Sequence, residues 1–419
     1  MAPRSRVILP EDLIAEILSL ISVKSLLRFR CVNNSWNSLI LNPTFVKLHL
    51  KRSSQQNDLF TLTTHHIKYG FDESPDSSDD DLEHGYSVVP YSISRLIENP
   101  SFTHFEDPYY HLNDKGCSTM VGTCNGLILL ADDSDAGRSH EYLFSLWNPA
   151  TRTTSPKFGY FRDSRRERFA FSFGCDNSSN TYKVVASRYI RDQLSTEVRV
   201  LNLGENVWRN IESYPVVPVD LKSKDNYVYL NDTLNWLAIH NYFEYKIKNA
   251  NNVKGISVKQ FVIVSLDLGT ETYNQYLLPR GINDKVLPAG PTISLLGGFL
   301  CFSYSYKKTD FVVWQMKKFG IEESWTQFLK ISYQNLSPAY DYDDTWNYRL
   351  KLFPCLLSED GYTLILRSSE VEAILYNWRD NRVKRINIIP SRTLIDDDTI
   401  DIVDWSLAKG YVESLVPTF

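Results

Sequence analysis

"VLNLGENVW" (200–208) and "SLDLGTETY" (265–273) align without a gap. Each reads as a short strand, a Leu-Gly turn and a closing aromatic. Related segments are "FSLWNPATRT" (144–153), "VVWQMKKFGIEESW" (312–325) and "ILYNWRDNRV" (374–383). With Trp147, Leu201, Leu266, Trp314 and Tyr376 as anchors, the intervals are 54, 65, 48 and 62 residues. Earlier strand pairs with their own turns precede these hairpins, as in "CNGLILLAD" (124–132), "NDTLNWLAIH" (231–240), "LLGGFLCFSY" (295–304) and "LSEDGYTLIL" (357–366). Four short strands in about 50 residues make one propeller blade. A blade alone cannot bury both faces, so blades stack radially and the core forms between them. The repeat predicts a mainly β, propeller-like fold with five visible blades. The stretch 59–120 is the candidate for a sixth, completed by the C-terminal strand "KGYVESLV". Repeat aromatics such as Trp208, Trp236 and Trp325 are expected to wedge between blades.

The N-terminus has a different texture. "LPEDLIAEILSLISVKSLLRFRCVNNSW" (9–36) is dense in Leu and Ile. Leu13, Ile14, Ile17, Leu18 and Ile21 recur at helical spacing, and Pro10 suits a first turn. Ser22 is placed to cap a second helix, "VKSLLRFRCV", and Asn34 or Ser35 a third that holds Trp36, Leu39 and Ile40. Pro43, in "NPTF", is expected to break the pattern. Three short helices bury too little area to be comfortably stable alone. Residues 1–52 hold eight Lys or Arg against three Asp or Glu, a local net of +5 in a chain of net −5.

Several function classes are disfavoured. The mild net charge and the lack of a long basic tract argue against nucleic acid. Glu11, Asp12 and Glu16 interrupt what would be a signal-peptide core. No apolar run approaches the roughly 18 residues that span a bilayer, so no membrane role is expected. The expectation is a soluble chain of the cytoplasm or nucleus. Six scattered cysteines with no Cys-x-x-Cys pair read as reduced thiols. Residues 72–83, "DESPDSSDDDLE", carry seven carboxylates and read as a solvated loop, with Ser74, Ser77 and Ser78 as candidate modification or partner-binding positions.

With these residues in view, the opening Leu-Pro, the Ile/Leu ladder, "VKSLLRFRCV" and the Trp followed by Leu-Ile resemble the F-box over about 40 residues. Downstream, "CNGLILL", "WNPATR", "TYKVV", "LNLGENVWRNI", "LNWLA", "FVIVSLDLGTETY", "ESWTQFLKI" and "YVESLV" are similar to the F-box-associated, kelch-type domain of plant F-box proteins, including S-locus F-box relatives. Two departures stand out. Ser22 occupies a place where most relatives have Pro, and of the kelch double glycine only Gly297-Gly298 is present. The resemblance implies an F-box at 7–50, a connector with the acidic loop at 51–85, and a propeller-like domain at 86–419 whose first blade starts there or near 59. It also implies a non-catalytic substrate receptor of a Skp–cullin–F-box ubiquitin ligase. The adaptor-binding surface, or its immediate support, would then comprise Leu9, Pro10, Ile14, Leu18, Val23, Leu26, Leu27, Cys31, Val32 and Trp36. Lys24, Arg28 and Arg30 would steer association with an acidic Skp-type adaptor and through it a cullin–RING ligase.

Signs of catalysis are sparse. The chain has no Gly-x-Gly-x-x-Gly, Walker-type loop or Gly-x-Ser-x-Gly elbow. His65 and His66 are adjacent, and in a strand they point to opposite faces and cannot easily share a metal. No cofactor or metal is expected. Carboxylates cluster at Asp341, Asp343 and Asp344 and at Asp396, Asp397 and Asp398, and a glycosidase pair is the chemistry they would suit. A propeller enzyme or carbohydrate-binding protein with an incidental helical cap is therefore the alternative reading. Aromatics in polar stretches, Tyr340, Tyr342, Trp346, Tyr242 and Tyr245, suit a rim that recognises an unidentified protein target. The basic stretch "RDSRRER" (162–168) reads as an exposed loop.

Overall fold

In the computed structural model the described residues are 9–55, 58–68, 83–104, 108–136, 139–164, 167–190, 195–219, 227–240, 258–282, 289–307, 309–336, 352–368, 372–390 and 399–418. They form an N-terminal helical unit followed by a six-bladed β-propeller. The acidic stretch up to residue 82, both Asp clusters and the five rim aromatics fall outside the described residues; Glu83, the last acidic residue of that stretch, begins a strand.

Five blades are antiparallel sheets built from consecutive strands. Blade 1 runs from Thr119–Cys124 through Leu127–Ala136 and Ser139–Asn148 to Thr153–Thr154 and Phe158–Asp163. Blade 2 comprises Ala170–Asp176, Thr181–Ile190, Ser195–Asn202 and Val207–Ile211. In blade 3, Val217–Pro218 and Val228–Leu230 both flank Thr233–Ile239, followed by Phe261–Asp267 and Tyr273–Leu277. Blade 4 spans 289–332 and blade 5 spans 353–385. Every anchor of the sequence repeat lies on the third strand of its blade: Trp147, Leu201, Leu266, Trp314 and Tyr376.

Blade 6 joins the two ends of the chain. Leu59–Lys68 is its central strand, at the start of the stretch 59–120 expected to supply a sixth blade. Glu83–Ser92 pairs along one side. Thr399–Asp404 and Gly410–Tyr411 pair along the other. The expected C-terminal strand is thus present at Gly410–Tyr411, with a second one before it. A parallel pair, Asn387–Pro390 with Ser101–His104, adds another link between early and late chain.

The buried side chains show that the ring closes. Six apolar clusters lie between successive blades, and the sixth, with Val88, Ile128, Trp147 and Tyr411, joins blade 6 to blade 1. Closure explains why Thr233–Ile239, "TLNWLAI", is buried at every position: a neighbouring blade covers each face. It also leaves no blade without a neighbour. Positive φ at both central residues of the Asn125-Gly126, Asn231-Asp232 and Gly297-Gly298 turns fits tight hairpins whose twist matches the strands.

The helical unit contains α1 (Glu11–Leu18), α2 (Val23–Phe29), α3 (Asn34–Leu41) and α4 (Pro43–Ser53). The first three match expectation, with Asn33 rather than Asn34 or Ser35 as the cap of α3: its side chain accepts from Trp36 N–H at 2.8 Å. Pro43 does not end the helical region. It sits at the first position of α4, where its fixed φ suits a helix and its missing N–H costs nothing, and Asn42 caps it by accepting from Thr44 N–H at 2.8 Å.

Candidate functional site: the helical face

The helical unit has a core of its own, but a thin one. Leu18, Leu26, Ile40 and Phe45 are buried together, with Ile14, Ile21, Phe29, Trp36 and Leu39 packed around them. Phe29 and Trp36 meet edge to face at 5.5 Å. Polar contacts fasten α4 across the unit. The buried His49 shares a 3.0 Å hydrogen bond with the Ile21 carbonyl. Arg52 donates to the Glu16 carbonyl at 2.7 Å and pairs with the Glu16 carboxylate, closing the C-terminal end of α1.

What this core leaves outside is the informative part. Leu9, Leu13, Ile17, Leu20, Val32 and Leu41 are each between 50 and 68% exposed. They are six of the thirteen exposed large apolar residues described, within a small fraction of the chain. Leu13 and Ile17 lie one turn apart on the exposed side of α1, with Leu9 just before the helix and Leu20 just after it, and together they make an exposed apolar ridge at α1 and its flanks. Lys24 and Arg28 are exposed on the neighbouring α2. Solvent does not stabilise such a ridge, and a second apolar surface would.

The ten positions proposed from sequence divide three ways. Leu9, Pro10, Cys31 and Val32 are exposed; Ile14, Leu27 and Trp36 are half-buried; Leu18, Val23 and Leu26 are interior. The last three support the face and do not present it. Four exposed apolar residues, Leu13, Ile17, Leu20 and Leu41, were not among the ten. Helical spacing groups Leu13 and Ile17 with Ile14 and Leu18 on one apolar band, and only packing decides which edge of that band faces inward.

The propeller axis holds a cavity of about 450 Å³. Inner-strand residues such as Thr123, Tyr229, Ser294 and Leu356 line it, together with Lys409 and Gly410. Tyr227 and Tyr229 of blade 3 reach across the inner edge of blade 2. The Tyr227 hydroxyl accepts from Phe173 N–H at 3.1 Å, and the Tyr229 hydroxyl donates to the Cys175 carbonyl at 2.8 Å. They occupy backbone groups that an inner edge strand would otherwise leave open.

A Ser–His–Asp arrangement occurs inside blade 6. His66 Nδ1 lies 2.6 Å from an Asp401 carboxylate oxygen, and its Nε2 lies 3.0 Å from the Ser87 hydroxyl. All three are buried and none lines the axial cavity. The trio instead ties together three strands of the closing blade. His65 lies on the opposite face, stacked on Tyr86 at 4.5 Å. Among the described residues no group of three or more His, Cys, Asp or Glu is arranged to hold a metal. Burial pushes the Cys175 and Cys301 thiols up to about 12, which makes them poor nucleophiles. Arg162 and Arg168, at the ends of the basic stretch, pair with Glu141 and Asp133. No described helix is long and apolar enough to cross a membrane.

Comparison with known proteins agrees with this geometry. Residues 84–418 match the F-box associated beta propeller domain, and residues 8–48 match the F-box domain. An F-box/kelch-repeat protein of Arabidopsis thaliana is 27% identical over 325 residues, covering 77% of this chain and 79% of its own. The Arabidopsis thaliana F-box protein CPR1 is 22% identical over 415 residues, covering 96% and 89%. This pairing of domains is that of F-box substrate receptors, and the chain belongs to the F-box-associated β-propeller family as a plant-type F-box protein.

Proposed function

We propose that the chain is the substrate-recognition subunit of a Skp–cullin–F-box ubiquitin ligase, working in the cytoplasm or nucleus. The helical face docks a Skp-type adaptor, and the propeller holds a protein target for ubiquitination. The observation that carries the reading is the exposed ridge of Leu9, Leu13, Ile17 and Leu20, which the propeller leaves uncovered. Burial of about 800 Å² on each side is ordinary for a stable complex. Exposed Lys24 and Arg28 on α2 suit an acidic partner and would speed encounter. The chain supplies no reacting group to the transfer. It raises the effective concentration of a target lysine near a charged ubiquitin-conjugating enzyme.

The test is capture of a purified Skp-type adaptor by the full-length chain. Leu13→Asp with Ile17→Asp should weaken capture by about two orders of magnitude, as loss of central apolar anchors does, with the propeller's unfolding transition unchanged. Capture at wild-type strength by this variant would overturn the reading.

A further inference from the structure

Two separated segments of blade 1 converge on the last residues of the chain. The Asn148 side chain, in "WNPATR", is fully buried and donates to the carbonyls of Ser414 and Val416 at 3.1 and 2.8 Å. Its oxygen accepts from Ala150 and Thr151 N–H, which aims the amide at the tail. The Asn125-Gly126 turn, in "CNGLILL", passes so close that a Cβ on Gly126 would lie 2.3 Å from the Ser414 hydroxyl and 2.6 Å from the Val412 carbonyl. Thr123 donates to the Gly410 carbonyl at 2.9 Å.

The tail presents two sides. Ser414 faces blade 1 through the contacts above, and Val416 joins the apolar cluster of blades 1 and 2, against which Val46 and Leu50 of α4 also pack. Glu413 and Leu415 face the other way. Leu415 packs on the core of the helical unit. Burial raises the proton affinity of Glu413, and the Val23 N–H and Lys24 at the start of α2 oppose that rise, so its carboxyl group lies near the helix start. That helix lacks a cap of its own, because Ser22 makes no side-chain hydrogen bond to it. Glu413 is thus placed, from far along the chain, where a local cap residue normally acts.

We propose that residues 411–418 are a two-sided clamp that holds the F-box at one fixed orientation on the propeller. The segment between α4 and blade 6 is short, but a chain connection fixes distance and not direction. The clamp fixes direction by giving one strand of backbone to both partners. Its consequence for target presentation rests on the ligase reading above; the clamp itself does not.

The experiment uses the full chain with spin labels on the exposed Cys31 and on Gln327→Cys, an exposed position on the outer strand of blade 4. The wild-type background should give one narrow distance distribution. Truncation after Val412 should broaden it, while the propeller's melting transition persists. Glu413→Ala keeps Leu415 and Val416 in place, so it tests the contact without removing the tail. It should speed amide exchange at Val23 about fivefold, as loss of a cap does, and leave blade amides unchanged. A narrow distribution in the truncated chain, or unchanged Val23 exchange in Glu413→Ala, overturns the clamp. Adaptor capture is measured on unlabelled protein, because Cys31 belongs to the proposed docking surface. Failure of the wild type to capture adaptor sinks the ligase reading, and the clamp is still decided by the distances and exchange rates.

Discussion

The indole N–H of Trp208, on the outer strand of blade 2, donates to the Gly159 carbonyl on the outer strand of blade 1 at 2.8 Å. The same relation recurs around the ring. The Tyr273 hydroxyl of blade 3 donates to the Glu212 carbonyl at 2.7 Å, and Trp325 of blade 4 donates to the Leu277 carbonyl at 3.1 Å. These three residues are the closing aromatics of the repeat. Each aromatic ring fills an inter-blade gap while its polar end satisfies a backbone carbonyl of the preceding blade.

Trp208→Phe should therefore destabilise the propeller more than loss of ring area accounts for. The ring still packs against Phe144 and Phe161, but the hydrogen bond is gone. The expected cost is about 1 kcal/mol for the bond, with Trp208→Ala costing about 3–5 kcal/mol. Urea unfolding of the full chain measures both. Equal stability of Trp208→Phe and wild type would show that the bond is idle.

The repeat was legible because blades obey a local rule: each strand needs a turn and each interface needs an aromatic. Closure was less so. Leu59–Lys68 carries "HH" and three threonines, more polar positions than a typical buried strand, and its C-terminal partners are more than 300 residues away. Such pairings leave no periodic trace. On the helical face, the ladder Leu13, Ile14, Ile17 and Leu18 announced an apolar helix. It could not say that Leu18 is interior and Leu13 and Ile17 exposed, because that depends on where α4 and Leu415 pack. Pro43 was read as a stop because Pro breaks helices, and the cap at Asn42 made it a start.

The closing blade should respond sharply to Asp401→Ala. This removes the acceptor of the 2.6 Å contact with His66 in a buried setting. A buried donor that loses its acceptor costs about 1–3 kcal/mol. The loss falls on the strand pair that closes the ring, so limited proteolysis should release the C-terminal segment faster than in wild type. Unchanged proteolysis with unchanged stability would mean that closure does not depend on this contact.

Two substitutions in the helical unit should separate folding from docking. Leu26 is fully buried, so Leu26→Asp should unfold the unit and lose adaptor capture for that reason. Leu20 is 68% exposed, so Leu20→Asp should keep the far-ultraviolet helical signal and lose capture by about tenfold or more. Helical loss in Leu20→Asp, or full capture by Leu26→Asp, would contradict the division into core and ridge.

Acid should loosen the helical unit through His49. Burial lowers its proton affinity below the ordinary value of 6.5, and the hydrogen bond to the Ile21 carbonyl offsets only part of that. The unfolded chain therefore binds a proton near pH 6.5 while the folded unit resists until lower pH. Between those two values the unfolded state holds more protons, so stability falls as pH drops through 6.5 and is fully present above it. Glu413 acts in the opposite sense, because burial raises its proton affinity above the ordinary 4.5 and the folded state holds the extra proton; its effect begins nearer that value. Amide exchange in α4 should accordingly be faster at pH 5.5 than at pH 7.5 once the intrinsic rate is removed. His49→Gln keeps a side-chain N–H for the Ile21 carbonyl without a titrating ring, so it should flatten the difference. An equal pH response in His49→Gln would place the sensitivity elsewhere.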